Sequence, residues 1–231
     1  MRRLAVIGDG KMGRLVAGLA PEMGFEVVAH LGPGATASGL TAAAVHGAEV
    51  AVEFTVPSAA AALVRGCADL GLPVVSGTTG WDAERALVET YVRNHGGALL
   101  WAPNFALGVH LFAKVVAEAA RRFAHAGAGF DAHIVETHHA QKLDAPSGTG
   151  RLLATVAEQA RGRAVPVTSV RTGHVPGTHE LILDGAFEQV RLVHEARDRR
   201  VFAAGALSAA RWLIGRRGVL TLDDYLGEVA R

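Results

Sequence analysis

The stretch Arg3-Leu-Ala-Val-Ile-Gly8-Asp9-Gly10-Lys11-Met12-Gly13 decides the fold. Residues 3–8 read as a buried strand, and Lys11 to Met23 carries Leu15, Val16 and Leu19 at helical spacing. Between them, Gly8, Gly10 and Gly13 match G-x-G-x-x-G. The pattern alone is common in a chain with 28 glycines, but here it closes a strand, opens a helix and sits inside a βαβ unit. Gly8 permits the tight turn, Gly10 lets backbone approach a pyrophosphate, and Gly13 lets helix and strand pack closely. The helix start then offers free N–H groups and partial positive charge to phosphates. A plain strand-to-helix turn is the alternative, and dinucleotide binding is the better reading. Gly8, Asp9, Gly10, Lys11, Met12 and Gly13 are therefore expected to bind a cofactor.

The alternation continues outward from this motif. Phe25–His30 reads as a strand, followed by a Gly/Pro/Ala/Ser loop from Leu31 to Gly39. Ala48–Thr55 is a third strand, after which Ser58 can cap an alanine-rich helix running to Leu70. Leu72–Ser76, a helix over Asp82–Val92 and a strand over Ala98–Ala102 complete the series. Repeated units of this length predict a parallel sheet with helices on both faces, a Rossmann-type α/β domain. Ligands in such sheets collect beyond the carboxyl ends of the strands. Gly77, Thr78 and Thr79 after the fourth strand, and Ala102, Pro103, Asn104 and Phe105 after the fifth, are therefore candidate cofactor contacts. A polar turn and a domain hinge are the respective alternatives.

Beyond residue 105 the pattern changes to a long helix (106–124), a strand (131–138), a helix (148–161) and three strand-like segments (165–171, 179–183 and 187–195). This predicts an α+β domain with an open mixed sheet. A last helix over Val201–Ile214 is expected to return to the first domain. The expected division is a dinucleotide-binding domain over 1–105, joined again by 202–231, and a substrate-binding and oligomerisation domain over 106–201. Closure is expected to hinge around Pro103–Ala106 and near Phe202, where Arg199 and Phe202 either cover the cofactor or simply start a helix.

The 231 residues carry a formal net charge of +1, which argues against a nucleic-acid partner. The lone Cys67 excludes an internal disulfide framework and reads as a core residue. No apolar run approaches membrane-spanning length, and Met1-Arg2-Arg3 is expected to lead straight into a strand rather than a signal peptide. A cytoplasmic location is expected. Arginine supplies 20 of the 23 basic side chains, and the only lysines are Lys11, Lys114 and Lys142. Lysine is thus rare enough that its positions bear watching.

The densest polar cluster is Glu136-Thr-His138-His139-Ala-Gln-Lys142-Leu-Asp144-Ala-Pro146-Ser147-Gly148-Thr149. In a strand Glu136 and His138 share a face. Pro146, Ser147 and Thr149 favour a helix start. A histidine, a lysine and a helix N-terminus within a dozen residues make a local site for an anionic substrate beside a titratable group. Two buried, hydrogen-bonded histidines or a merely capped turn are the alternatives. A metal held by His133, Glu136, His138 and His139 is disfavoured, because these alternate across the strand and match no zinc spacing.

This segment resembles the E-x-H-H-x-x-K-x-D-A-P-S-G-T motif of dihydrodipicolinate reductases, now called 4-hydroxy-tetrahydrodipicolinate reductases. The resemblance extends through the glycine-rich opening, Glu53-Phe-Thr, Gly77-Thr-Thr-Gly80, Pro103-Asn-Phe105 and Arg199-Arg-Val-Phe-Ala-Ala-Gly205. It implies reduction of a cyclic dicarboxylate by NADH or NADPH in diaminopimelate and lysine synthesis, by a homotetramer. It also implies that His138 is the general acid with Lys142 as partner, and that His139, Gly148 and Thr149 hold substrate. Ser147 joins them through its backbone amide. The segment after the second strand is shorter than in many members. It lacks the acidic or arginine residue that selects the cofactor: Glu26 is too early and His30 occupies the place.

Two other readings share parts of this pattern. An amino-acid dehydrogenase acting on an imine would use the same plan, but Lys142-x-Asp-Ala-Pro-Ser-Gly-Thr149 speaks against it. A dinucleotide-sensing regulator would need a DNA-binding element, and neither end of the chain shows a basic or winged helix.

Overall fold

Strands β1 (Arg2–Ile7), β3 (Val50–Glu53), β4 (Val74–Ser76) and β5 (Ala98–Trp101) are short, nearly continuous apolar runs. That is what a parallel strand buried on both faces requires. They belong to a computed structural model that describes residues 1–36, 39–126 and 129–229. The chain separates into two units, Met1–Phe105 with Arg200–Arg231, and Ala106–Arg199.

In the first unit these strands alternate with α1 (Lys11–Leu19), β2 (Phe25–Leu31), the four-residue α2 (Pro33–Thr36), α3 (Pro57–Asp69) and α4 (Asp82–Asn94). Among the described residues the sheet is six-stranded and parallel, in the order β10 (Gly218–Leu220)-β5-β4-β3-β1-β2. Its register aligns Ile7 with Glu53, Glu53 with Ser76, and Ser76 with Trp101. The loops that begin at Gly8, Phe54, Gly77 and Ala102 therefore leave one edge of the sheet together. One face packs on α3 and α4 through Ala60, Val64, Cys67, Val88 and Val92. Cys67 is fully buried there, and burial pushes its thiol well above the ordinary range.

The second unit contains α5 (Leu107–His125), β6 (Asp131–His138), α6 (Gly148–Arg161), β7 (Val167–Arg171), β8 (Thr178–Asp184) and β9 (Gln189–Glu195). Its mixed sheet runs β7-β6-β8-β9, with β6 parallel to β7 and antiparallel to β8. Period-two alternation buries Ala132, Ile134, Leu181 and Leu183 against Val116, Ala120, Leu153 and Ala157 of the two helices.

The chain then re-enters the first unit as α7 (Arg200–Leu213), β10 (Gly218–Leu220) and α8 (Leu222–Val229). The buried face of α7 is made of small residues, including Ala203, Gly205, Ala206, Ala209 and Ala210, and packs against α1 and the strands. Among the described residues, no helix is long and apolar enough to cross a membrane.

Several local features differ from the sequence reading. Helix α2 (Pro33–Thr36) forms within the expected Leu31–Gly39 loop. Helix α1 ends at Leu19 rather than Met23, because Pro21 follows and cannot continue the ladder. Ser58 does not cap α3. Pro57 takes the first helical position, where its missing N–H costs nothing, so the cap falls on Val56 without a side-chain bond. Strand β10 and helix α8 lie beyond the expected Val201–Ile214 helix. Three residues of strand pairing with β5 leave little periodicity to read.

Candidate active site

The first group of residues surrounds the N-terminus of α1. Gly8 has φ +113°, and a Cβ there would stand 2.0 Å from Phe54 O. A Cβ on Gly13 would stand 1.9 Å from Gly8 O. Neither position accepts a side chain, so strand, turn and helix are locked at contact distance. Gly10 is the N-cap, donates no side-chain cap, and has open space where a Cβ would be. The first turn of α1 contains no acidic residue. Its free N–H groups and positive end suit a pyrophosphate.

Gly10, Lys11 and Met12 meet Gly77, Thr78 and Thr79 across a cleft of about 430 Å³, to which Phe54 and Thr55 add a wall. The register of the sheet makes this meeting possible, and Glu53 fixes it. Its carboxylate is fully buried and accepts from Thr55 N at 2.8 Å, from Ser76 Oγ at 2.6 Å and from Thr78 Oγ1. Trp81 and Trp101 both donate their indole N–H to Thr78 O, at 2.7 and 2.8 Å. Gly77 is required because a Cβ would enter the Phe54 ring at 2.0 Å. Of the other expected cofactor residues, Gly8 and Gly13 lie behind the cleft and Asp9 is exposed beside it. Ala102, Pro103, Asn104 and Phe105 do not line it. Buried Phe105 instead meets Phe54 edge-on, with centroids 6.3 Å apart. The glycine cradle, helix end and cleft fit a dinucleotide.

The second group centres on the end of β6. Glu136 and His138 share the inward face, as their spacing requires. His138 Nδ1 donates to Glu136 Oε2. The other carboxylate oxygen accepts from Arg171 Nη2 at 2.7 Å and from Ser147 N at 3.3 Å. Arg171 Nη2 also donates to Asp144 O at 2.7 Å, pinning the loop between β6 and α6. Ser147 caps α6 by accepting from Gly150 N at 2.9 Å, so Gly148 and Thr149 open the helix. Lys142 reaches Asp144 Oδ1 at 2.7 Å. His139 lies past the strand, its N–H donating to Val175 O at 2.8 Å.

Arg171 and His179 complete this network and were not singled out from sequence. The sheet supplies both: Arg171 stands beside His138 in the β6–β7 register, and His179 beside Glu136 in the β6–β8 register. His179 is 4% exposed, packs edge-on against His138 with centroids 5.1 Å apart, and places Nε2 3.3 Å from Ser147 Oγ. Gly177 lies against His138 Nε2, 3.0 Å from where a Cβ would be.

The charges follow from burial and neighbours. Burial raises the Glu136 carboxyl, but hydrogen bonds from Arg171 and Ser169 and the adjacent His138 bring it down to about 2. For His138 burial lowers the pKa, Glu136 opposes it, and the cations of Lys142 and Arg171 help hold it below the ordinary value. His179 is pushed down to about 4, first by burial and then by His138. Glu136, His138 and His179 have donor atoms close enough for a metal. Arg171 and the Ser147 amide already occupy one Glu136 oxygen, and His138 the other. The cluster is a hydrogen-bond network around an ionised carboxylate. His133, weighed with the metal reading, pairs instead with Thr168 Oγ1 at 2.7 Å.

Residues 2–105 match the family model described as dihydrodipicolinate reductase, N-terminus, and residues 108–226 match dihydrodipicolinate reductase, C-terminus. The 4-hydroxy-tetrahydrodipicolinate reductase of Thiobacillus denitrificans is 35% identical, over 97% of this chain and 98% of that protein. Its counterpart from Methanosarcina mazei is 36% identical, over 78% of this chain and 73% of that protein. A solved dipicolinate-bound dihydrodipicolinate reductase from Paenisporosarcina sp. TG-14 has the same fold, with a TM-score of 0.80 at 23% identity, covering 96% of this chain and 97% of that one. With both halves matched and the Thiobacillus denitrificans relative spanned nearly end to end, the chain belongs to the dihydrodipicolinate reductase family.

Proposed function

We propose that the protein reduces 4-hydroxy-tetrahydrodipicolinate, or its dehydrated form dihydrodipicolinate, to tetrahydrodipicolinate with NADH or NADPH. The observation that carries this is the His138–Glu136–Arg171 network beside the capped start of α6, in a chain of this family. The hydroxylated substrate becomes a conjugated ring on losing its 4-hydroxyl as water, and a nicotinamide dinucleotide held by the first unit would supply a hydride to that ring. This leaves an electron-rich enamine carbon that must take a proton.

His138 is the general acid. Glu136 accepts from Nδ1, which fixes the ring orientation and leaves Nε2 as the nitrogen that delivers the proton. Glu136 also stabilises the imidazolium form needed for delivery, against the burial and cations that disfavour it. Lys142 neutralises an anionic ring substituent. The Ser147 amide is held by Glu136, so the Gly148 and Thr149 amides of the helix start bind a carboxylate, with Thr149 adding a hydroxyl and His139 a further donor.

The working form is a cytoplasmic homotetramer, as the resemblance implies. Supporting it, α5 and α6 cover one face of the four-stranded sheet and leave Val170 and Val193 exposed on the other. Gel filtration with light scattering reads its size; a monomer contradicts it.

Turnover is tested by generating substrate in place from pyruvate and aspartate semialdehyde with dihydrodipicolinate synthase, and following NADH or NADPH absorbance. Oxidation that depends on the synthase supports the reading. Dinucleotide binding without oxidation points instead to an imine dehydrogenase or a dinucleotide sensor.

A further inference from the structure

The end of β2 shows how the dinucleotide is chosen, an inference that rests on reading the first unit as a nicotinamide-dinucleotide site. In folds of this kind the residue at the end of the second strand meets the adenosine ribose. An acidic side chain there binds a free 2′-hydroxyl, and an arginine accommodates a 2′-phosphate. Here β2 ends at Leu31, whose side chain is buried. His30 turns back onto the glycine loop, Nε2 donating to Gly8 O at 3.1 Å. Gly32 brings no side chain at all. A carboxylate nevertheless stands at this place: Asp9 Oδ2 lies 3.5 Å from where a Cβ on Gly32 would be.

We propose that Asp9 is the specificity-determining residue of this site. It accepts hydrogen bonds from the hydroxyls of an unphosphorylated adenosine ribose and repels a 2′-phosphate, so NADH is the preferred reductant. Asp9 does from the glycine loop what an acid at the end of β2 does elsewhere. Two cations bear on the same choice. Lys11 lines the cleft with Gly77 and Thr78, on the side of the loops after β3 and β4. Arg14 Nη2 lies 3.9 Å from Asp9 Oδ1, with both side chains more than half exposed. A pair so long and so wet is weak, and the carboxylate is not committed to it.

The test is the dissociation constant of NADH and of NADPH, measured by titration calorimetry on the full-length protein and on three variants. Steady-state kcat/KM with each dinucleotide is measured alongside. The unaltered protein is expected to bind NADH more tightly by about tenfold or more. Asp9→Asn keeps the size and removes the charge, so NADPH should tighten and the ratio should fall by about tenfold. Asp9→Ala should also weaken NADH.

A preference for NADPH in the unaltered protein overturns the proposal. So does a ratio in Asp9→Asn within about twofold of the original. Loss of NADPH binding in Arg14→Ala with NADH unaffected would make Arg14 the selector and overturns it too. If neither dinucleotide binds the unaltered protein, the site itself is misread and the proposal falls with it. That result is distinct from two affinities that converge.

Discussion

Glu136 Oε2 accepts the Nδ1 proton of His138, two residues along the same strand face, while Arg171 holds the other oxygen of the carboxylate. The pair is buried, and the carboxylate stays ionised because its partners outweigh the cost of burial. Glu136 is thus a fixed negative charge whose effect falls on the imidazole. Glu136→Gln keeps a similar shape and removes that charge. The pKa of His138 should fall further, and kcat/KM at neutral pH should drop by about tenfold or more. A pH–rate profile that does not move would show that Glu136 only fills space.

The pH dependence of the reaction has a definite sign. The proposed general acid, His138, must be protonated to act, and in the free protein it titrates below its ordinary value of 6.5. The value of kcat/KM should therefore fall as pH rises through neutrality. The limb in kcat should lie at higher pH, because a bound dicarboxylate beside His138 favours the imidazolium. Initial rates from pH 5 to 9, at limiting and saturating substrate, read both limbs. A kcat/KM that increases over this range contradicts the assignment.

Stability should also depend on pH, through His179. Its pKa is pushed down to about 4 in the folded protein from 6.5, so the unfolded chain binds the proton more readily. Stability is fully present above the unfolded value and is lost as pH falls through the folded one, a loss of roughly 3 kcal/mol between pH 7 and pH 4. Urea unfolding across this range should show it, and His179→Phe should flatten the curve. Equal slopes in the two proteins would mean that another group is responsible.

In the proposed reaction Lys142 supplies the charge that meets the substrate. Lys142→Ala should raise KM and lower kcat together, with kcat/KM down by about a hundredfold. The surface pair with Asp144 contributes little to folding, so the melting temperature should stay close to that of the unaltered protein. Full activity in this variant would reduce Lys142 to a surface charge.

Local chemistry made most of this molecule legible from its residues. Strand β6 and helix α6 fall where the alternation of residues 131–138 and the Ser147 cap put them. The glycine turn was readable because Gly8 and Gly13 leave no room for any other residue. What escaped was produced by pairing between distant segments. Arg171 and His179 join the site only because β7 and β8 flank β6 in one particular register, and no short-range spacing announces that. Asp9 was noticed as part of a motif, but its place against Gly32 depends on the β1–β2 pairing. Pro57 displaced the expected Ser58 cap for a local reason that the fixed proline backbone explains.

The most direct test of the account is steady-state kinetics of His138→Gln in the synthase-coupled assay. The account predicts that kcat falls by about a hundredfold or more while KM for the dicarboxylate changes little, because the proton donor is lost and the binding groups remain. A kcat equal to that of the unaltered protein would contradict it, and would place the proton donor elsewhere.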